Sequence, residues 1–245
     1  MKKLLFAVVF LWMTLLSAYS TSYKLAEKAK ERGDYKSALQ YTLEQLDEDL
    51  NSYGENAKEV IISYGQLGYY HEKLGEYDKA LKYDLKALKI QKKLLSKNDP
   101  ATAITYNNIG GVYFKQGKYQ EALDNYGKSL KMQKKVLGEN DPAIAISYNN
   151  IGNVYRKQGR YEEALDSYEK ALKIREEALG ENHRATATTC NNIGLVYFKQ
   201  GKYQEALNEL DKTLKIQEKA LGKDHPSTKN TQSNINYIKN EMVIK

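Results

Sequence analysis

The sequence predicts an all-α protein, a right-handed α-solenoid of stacked helix-turn-helix hairpins, and three observations carry that reading. First, the string YNNIGGVYFKQGKYQEAL, from Tyr106 to Leu123, returns as YNNIGNVYRKQGRYEEAL (Tyr148 to Leu165) and CNNIGLVYFKQGKYQEAL (Cys190 to Leu207), offset by 42 residues each time. A fixed period in this range marks a stack of like units. Second, Tyr106, Ile109, Gly110 and Tyr113 follow the i, i+3, i+4, i+7 spacing of an amphipathic helix. Third, no sustained alternation of apolar and polar residues argues for strands, and only 3 of the 245 residues are proline.

Taken in order, the chain opens MKKLLFAVVFLWMTLLSAYSTS. Lys2 and Lys3 precede an apolar run from Leu4 to Leu16, and Ala18 and Ser20 are the small residues of a cleavage site. The run is shorter than the roughly 20 residues that a membrane-spanning helix needs. Residues 1–20 are therefore expected to be a secretory signal peptide, placing the mature chain in the periplasm or outside the cell. Bulky Tyr19 leaves open an uncleaved leader that anchors the protein in the membrane. No cysteine stands near the leader's end, which argues against a lipid anchor.

Within the copy at 101–142, Gly117 stops the first helix, because glycine reaches the left-handed conformation without steric cost. A second stripe follows at once, through Tyr119, Ala122, Leu123, Tyr126, Leu130 and Leu137. Gly138 closes it, and Asp141-Pro142 starts the next copy. Gly110 is mid-helix, where glycine costs about 1 kcal/mol relative to alanine. Its equivalents are Gly152, Gly194, Gly68 and Ala26, so the slot demands a small residue. The expected partners across the hairpin are Ala122, Ala164, Ala206, Ala80 and Ala38. Counting outward places copies at about 21–58, 59–100, 101–142, 143–184 and 185–226, with a capping helix at 227–245. The first copy diverges most, with Glu48 where later copies hold Ile90, Met132, Ile174 and Ile216.

Small residue, turn glycine, Tyr and Ala at these spacings resemble the tetratricopeptide repeat (TPR). The 42-residue period, with linkers such as GENDPAIA (Gly138 to Ala145) and GENHRATA (Gly180 to Ala187), is similar to the longer repeats of kinesin light chains. One departure is the first-helix slot usually given to Trp, which holds Tyr64, Tyr106, Tyr148 and Cys190. The resemblance implies a non-catalytic scaffold for protein–protein interaction, whose first helices line a concave groove for a peptide.

By that resemblance the groove residues are Ile104, Asn107, Asn108, Gly111, Phe114 and Lys115 in one copy. The next copy supplies Ile146, Asn149, Asn150, Asn153, Arg156 and Lys157, and the third Thr188, Asn191, Asn192, Leu195, Phe198 and Lys199. Asparagine is a poor helix former whose amide both donates and accepts, which suits the backbone of a bound segment. Kinesin-light-chain-type repeats resemble this in holding cargo peptides with first-helix asparagines. The pairs could equally bond across neighbouring helices. Phe114 and Phe198 offer apolar pockets or packing against the next first helix. Lys115, Lys157 and Lys199 form a basic ridge for acidic segments or a solvated edge.

Composition narrows the remaining classes. The net charge of +7 is spread along the chain without a dense basic block, so nucleic acid is not an expected partner. The single cysteine, Cys190, excludes an intramolecular disulfide framework and reads as a small buried residue. His71, His183 and His225 lack the spacing of a metal motif, and no phosphate-binding loop or nucleophile elbow occurs. No cofactor and no catalysis are expected. Beside the exported scaffold stand two further readings. One is a sensory or structural envelope module that self-associates or docks on a membrane partner; the other is a cytosolic cargo adaptor.

Overall fold

The computed structural model describes residues 20–244, so the predicted leader falls outside the described residues except for Ser20. Eleven helices and no strand occur among the described residues, divided between two compact units, Met1–Lys97 and Asn98–Lys245. Unit 1 contains α1 (Thr21–Glu31), α2 (Tyr35–Tyr53), α3 (Lys58–Lys73) and α4 (Tyr77–Leu94). Unit 2 contains α5 (Pro100–Lys115), α6 (Tyr119–Leu137), α7 (Pro142–Lys157), α8 (Tyr161–Leu179), α9 (Arg184–Lys199), α10 (Tyr203–Leu221) and α11 (Pro226–Ile244). Within each unit the helices pair into hairpins that stack side by side, the arrangement of an α-solenoid. Among the described residues no helix is long and apolar enough to cross a membrane.

The local signals work as the residue types require. Gly117 sits at φ 74°, its N–H bonds the Phe114 carbonyl at 3.0 Å, and the Lys118 N–H reaches back to the Tyr113 carbonyl at 2.9 Å. Two orphan carbonyls of α5 are thereby satisfied and the chain reverses. At the other end of the hairpin Asp141 caps α7, accepting from the Ala143 N–H at 2.8 Å, with Pro142 in the first turn where its missing N–H costs nothing. His183 and His225 take the same position in the later copies. Their Nδ1 atoms accept from the N–H groups of Ala185 (3.1 Å) and Ser227 (3.2 Å), which places the ring proton on Nε2.

Two expectations about the core need correction. The small slot is not filled by the alanine of the second helix. A methyl group on Gly110 would stand 2.7 Å from Cδ1 of Tyr126, and one on Gly152 would stand 2.7 Å from Cε1 of Tyr168. The ring lies one helical turn beyond Ala122 or Ala164, so the glycine makes room for an aromatic face. In α9–α10 the occupant is Leu210, with the Ala206 carbonyl beside it; in α3–α4 it is the carboxylate of Asp84.

The buried stripe is also wider than one face. Ala103 and Val112 are fully buried, whereas Tyr106 and Tyr113 are half-buried and Leu137 is 40% exposed. The cause is stacking: α7 packs on α6 as well as on α8, so Val154 joins Ala122 and Tyr126 of the preceding hairpin in one cluster. Side-chain clasps span the same joints: Ser147 to Gln133 at 2.7 Å, Arg175 to Thr189 at 2.5 Å, and Ser63 to Asp49 at 2.6 Å. Helix α11 buries Ile235 and Ile238 against Ala206, Leu207 and Leu210, and leaves Lys229, Gln232, Asn236 and Lys239 exposed. A polar outer face of that kind ends a stack without inviting another hairpin.

Candidate functional site

Once the buried side of each first helix is fixed, one face is left over. On α5 it carries Ile104 (58% exposed), Asn108, Gly111 and Lys115; on α7, Ile146, Asn150, Asn153 and Lys157; on α9, Thr188, Asn192, Leu195 and Lys199. Each set runs along one side of its helix at i, i+4, i+7, i+11. Helices α5, α7 and α9 contact one another in turn, so the three sets form parallel rungs.

The asparagine pairs split by role. The Asn150 amide donates to Asn107 Oδ1 at 3.1 Å, and the Asn192 amide donates to Asn149 Oδ1 at 3.0 Å. Asn149, expected in the groove, is buried between neighbouring first helices, and Asn107 and Asn191 are half-buried. Each cross-helix bond uses one donor of the outward asparagine and one lone pair of the inward one, and it fixes both amide planes. Chemically, Asn150 and Asn192 are held in place and keep further donor and acceptor capacity.

Phe114 and Phe198 are half-buried in packing rather than standing open. Phe114 belongs to the cluster that includes Ile151 and Val154 of α7, and Phe198 meets Tyr237 of α11 edge to face at 5.8 Å. Arg156 is likewise engaged: its Nε donates to the Tyr168 hydroxyl at 3.4 Å, and that hydroxyl donates to Asn153 at 2.8 Å. Burial raises the Tyr168 phenol above its ordinary range, which keeps it a hydrogen-bond donor.

The cations divide in the same way. Lys118, Arg160 and Lys202 lie over the rings of Tyr113, Tyr155 and Tyr197 at 5.9, 4.4 and 5.8 Å. Lys115, Lys157 and Lys199 are exposed and form no ion pair among the described residues, though Lys199 lies over the Phe198 ring at 5.8 Å. Continuing the period into α11 adds a rung that the sequence reading left out of the site: Asn230, Asn234 and Tyr237, the last 56% exposed. The signal was present, since these residues fall in first-helix register.

Cys190 is buried, and desolvation pushes its thiol up to about 12, far from the thiolate that chemistry needs. Among the described residues no group of three or more His, Cys, Asp or Glu could hold a metal ion.

Comparison with known proteins agrees with this geometry. The tetratricopeptide repeat profile matches residues 59–135, 101–177, 143–219 and 185–235, together well over half of the chain. No curated protein sequence matches. Among solved structures, the chain is similar to kinesin-light-chain, nearly identical TPR-like repeats from Podospora anserina: TM-score 0.70 and 20% identity, over 81% of this chain and 94% of that one. It is also similar to BtubC (BKLC) from P. vanneervenii, with TM-score 0.71 and 20% identity over 83% and 82% of the two chains. The apo form of RapI gives TM-score 0.67 and 23% identity over 82% of this chain and 53% of that one.

Proposed function

Because this chain belongs to the tetratricopeptide repeat family, a family of protein-interaction scaffolds, we propose that unit 2 binds an extended segment of a protein partner along the free faces of α5, α7 and α9. The observation that carries this reading is the cross-helix asparagine bonding. It orients the amides of Asn150 and Asn192 on successive rungs before a ligand arrives, so less side-chain freedom is lost on binding. Ile104 and Ile146 supply apolar contact at one end of the rungs. At the other end Lys115, Lys157 and Lys199, which form no ion pair among the described residues, favour a segment bearing carboxylates. An affinity near micromolar, about −8 kcal/mol, suits a short segment that must be ordered on binding. The basic and apolar leader supports export of the scaffold, and the mass of the mature N-terminus tests that: a chain beginning at Met1 would refute it.

Co-purification after mild crosslinking tests the site. A Lys115→Gln/Lys157→Gln/Lys199→Gln variant keeps a melting temperature close to wild type, since these side chains are exposed and form no ion pair among the described residues, and loses the partner. Retention of the same partner by the folded variant would overturn the groove reading.

A further inference from the structure

Two hairpins, one in each unit, have a slot at the end opposite the glycine turn, where the start of the first helix, the last turns of the second and the start of the following helix meet. In unit 2 the slot formed by α5, α6 and α7 narrows to about 80 Å³ among Pro100, Ile104, Met132, Gln133, Val136, Leu137 and Ala143. In unit 1 the slot formed by α1, α2 and α3 is a cleft of about 420 Å³. Two periods apart, the positions correspond one to one: Ser20 for Ile104, Glu48 for Met132, Asp49 for Gln133, Ser52 for Val136, Tyr53 for Leu137 and Glu59 for Ala143. The unit 2 slot is apolar at all of these positions but Gln133, whereas the first copy carries hydroxyls and carboxylates. Asp49 is tied into the joint by Ser63, Glu48 accepts from the Ser22 hydroxyl at 3.2 Å, and Glu59 forms no ion pair among the described residues.

The cleft's charge has one sign. No Lys or Arg lines it, and Glu48, Asp49 and Glu59 form no ion pair among the described residues. Residues 37–57 contain Glu44, Asp47, Glu48, Asp49 and Glu55 and no Lys or Arg, within a chain whose net charge is +7. The last turn of α2 has no basic residue, whereas those of α4 and α6 carry Lys92 and Lys93, and Lys134 and Lys135. The negative end of the α2 dipole therefore adds to the carboxylates.

The walls are also arranged for more than charge. Asp49 is held by the Gln45 amide at 2.7 Å and the Ser63 hydroxyl at 2.6 Å. Tyr53 is 60% exposed, and an aromatic face adds cation–π attraction for an ammonium or guanidinium. Ile62, 56% exposed, offers an apolar surface for the methylene stem of such a side chain. We propose that this cleft in unit 1 docks an extended segment of a partner protein bearing Lys or Arg, a second contact separate from the rungs of unit 2 and of opposite charge preference.

The test uses the full chain and a fluorescein-labelled decalysine peptide, followed by anisotropy at low salt. Wild type binds, and raising salt weakens binding because the pairs are partly exposed. Glu48→Met/Glu59→Ala installs the residues of the unit 2 slot, so its melting temperature stays equal or rises while peptide affinity falls about tenfold or more. Tyr53→Ala, which changes no charge, weakens binding several-fold. Glu121→Gln/Glu205→Gln removes two exposed carboxylates elsewhere and leaves affinity within about twofold. Absence of wild-type binding, full affinity in the cleft variant, or an equal loss in the Glu121/Glu205 variant would each overturn the proposal.

Discussion

Gly68 and Gly152 occupy the same position of the repeat, yet they face opposite chemistry. Over Gly152 lies the ring of Tyr168, fully buried, with its hydroxyl bonded to Asn153 and approached by Arg156. Over Gly68 lies Asp84, 2% exposed, with Oδ1 lacking any hydrogen-bond partner. The helical hairpin forms in both units, so the small slot fixes how closely two helices approach and not what sits between them. Burying a tyrosine there is favourable through its apolar area and its satisfied hydroxyl. Burying a lone carboxylate is costly unless it takes up a proton, and desolvation, helped by nearby Glu72, pushes Asp84 up to about 7.

Exchanging the two occupants gives the largest effects. Tyr168→Asp imports the unit 1 arrangement into α7–α8; it loses a buried aromatic ring and should cost about 3–5 kcal/mol in urea denaturation. A loss below about 1 kcal/mol would show that the ring does not hold that joint. In the reverse direction, Asp84→Leu copies the Gly194–Leu210 pair and should stabilise unit 1 by about 2 kcal/mol at pH 8. The gain depends on pH with a definite sign. Folded Asp84 holds its proton up to about pH 7, while in the unfolded chain the proton leaves near the ordinary aspartate value of 3.8. Wild-type stability therefore falls as pH rises between those values and levels off above, and the leucine variant removes that slope. Equal slopes in both proteins would mean that Asp84 is solvated.

Smaller changes sharpen the same comparison. Gly110→Ala must displace the Tyr126 ring and should cost about 1–3 kcal/mol despite alanine's better helix propensity. Gly127→Ala, on the open side of α6, should gain about 0.5–1 kcal/mol; the two melting temperatures moving together would deny the slot its role. At the helix starts, His183→Ala should lose about 1 kcal/mol by removing a cap, and His183→Asp, which copies Asp141, should retain it.

The turn at Gly117 and the need for a small residue at Gly110 were both readable from residue types at fixed spacing. The partner of that small residue was not. Pairing Gly110 with Ala122 assumed that the smallest residues meet, whereas the helices are set so that a ring one turn on fills the gap. Val112 and Val154 escaped the stripe because a single amphipathic face was assumed for helices that are covered on two sides. The split within the asparagine pairs was equally hidden: Asn149 and Asn192 lie 43 residues apart, one more than the period, and only stacked helices bring that offset into bonding distance.

What the sequence determined by itself is local and periodic. A glycine's freedom at positive φ, an aspartate before a helix and a 42-residue repeat act through the backbone of their own neighbourhood, and they specify helical hairpins whatever surrounds them. Tertiary structure decided everything that depends on a neighbour. It chose the ring of Tyr168 or the carboxylate of Asp84 as the occupant of one slot, and it turned one asparagine of each pair inward. It also left Lys115, Lys157 and Lys199 exposed and without an ion pair among the described residues. Burial and charge pairing are properties of packed surfaces, and those surfaces exist only once the hairpins have stacked.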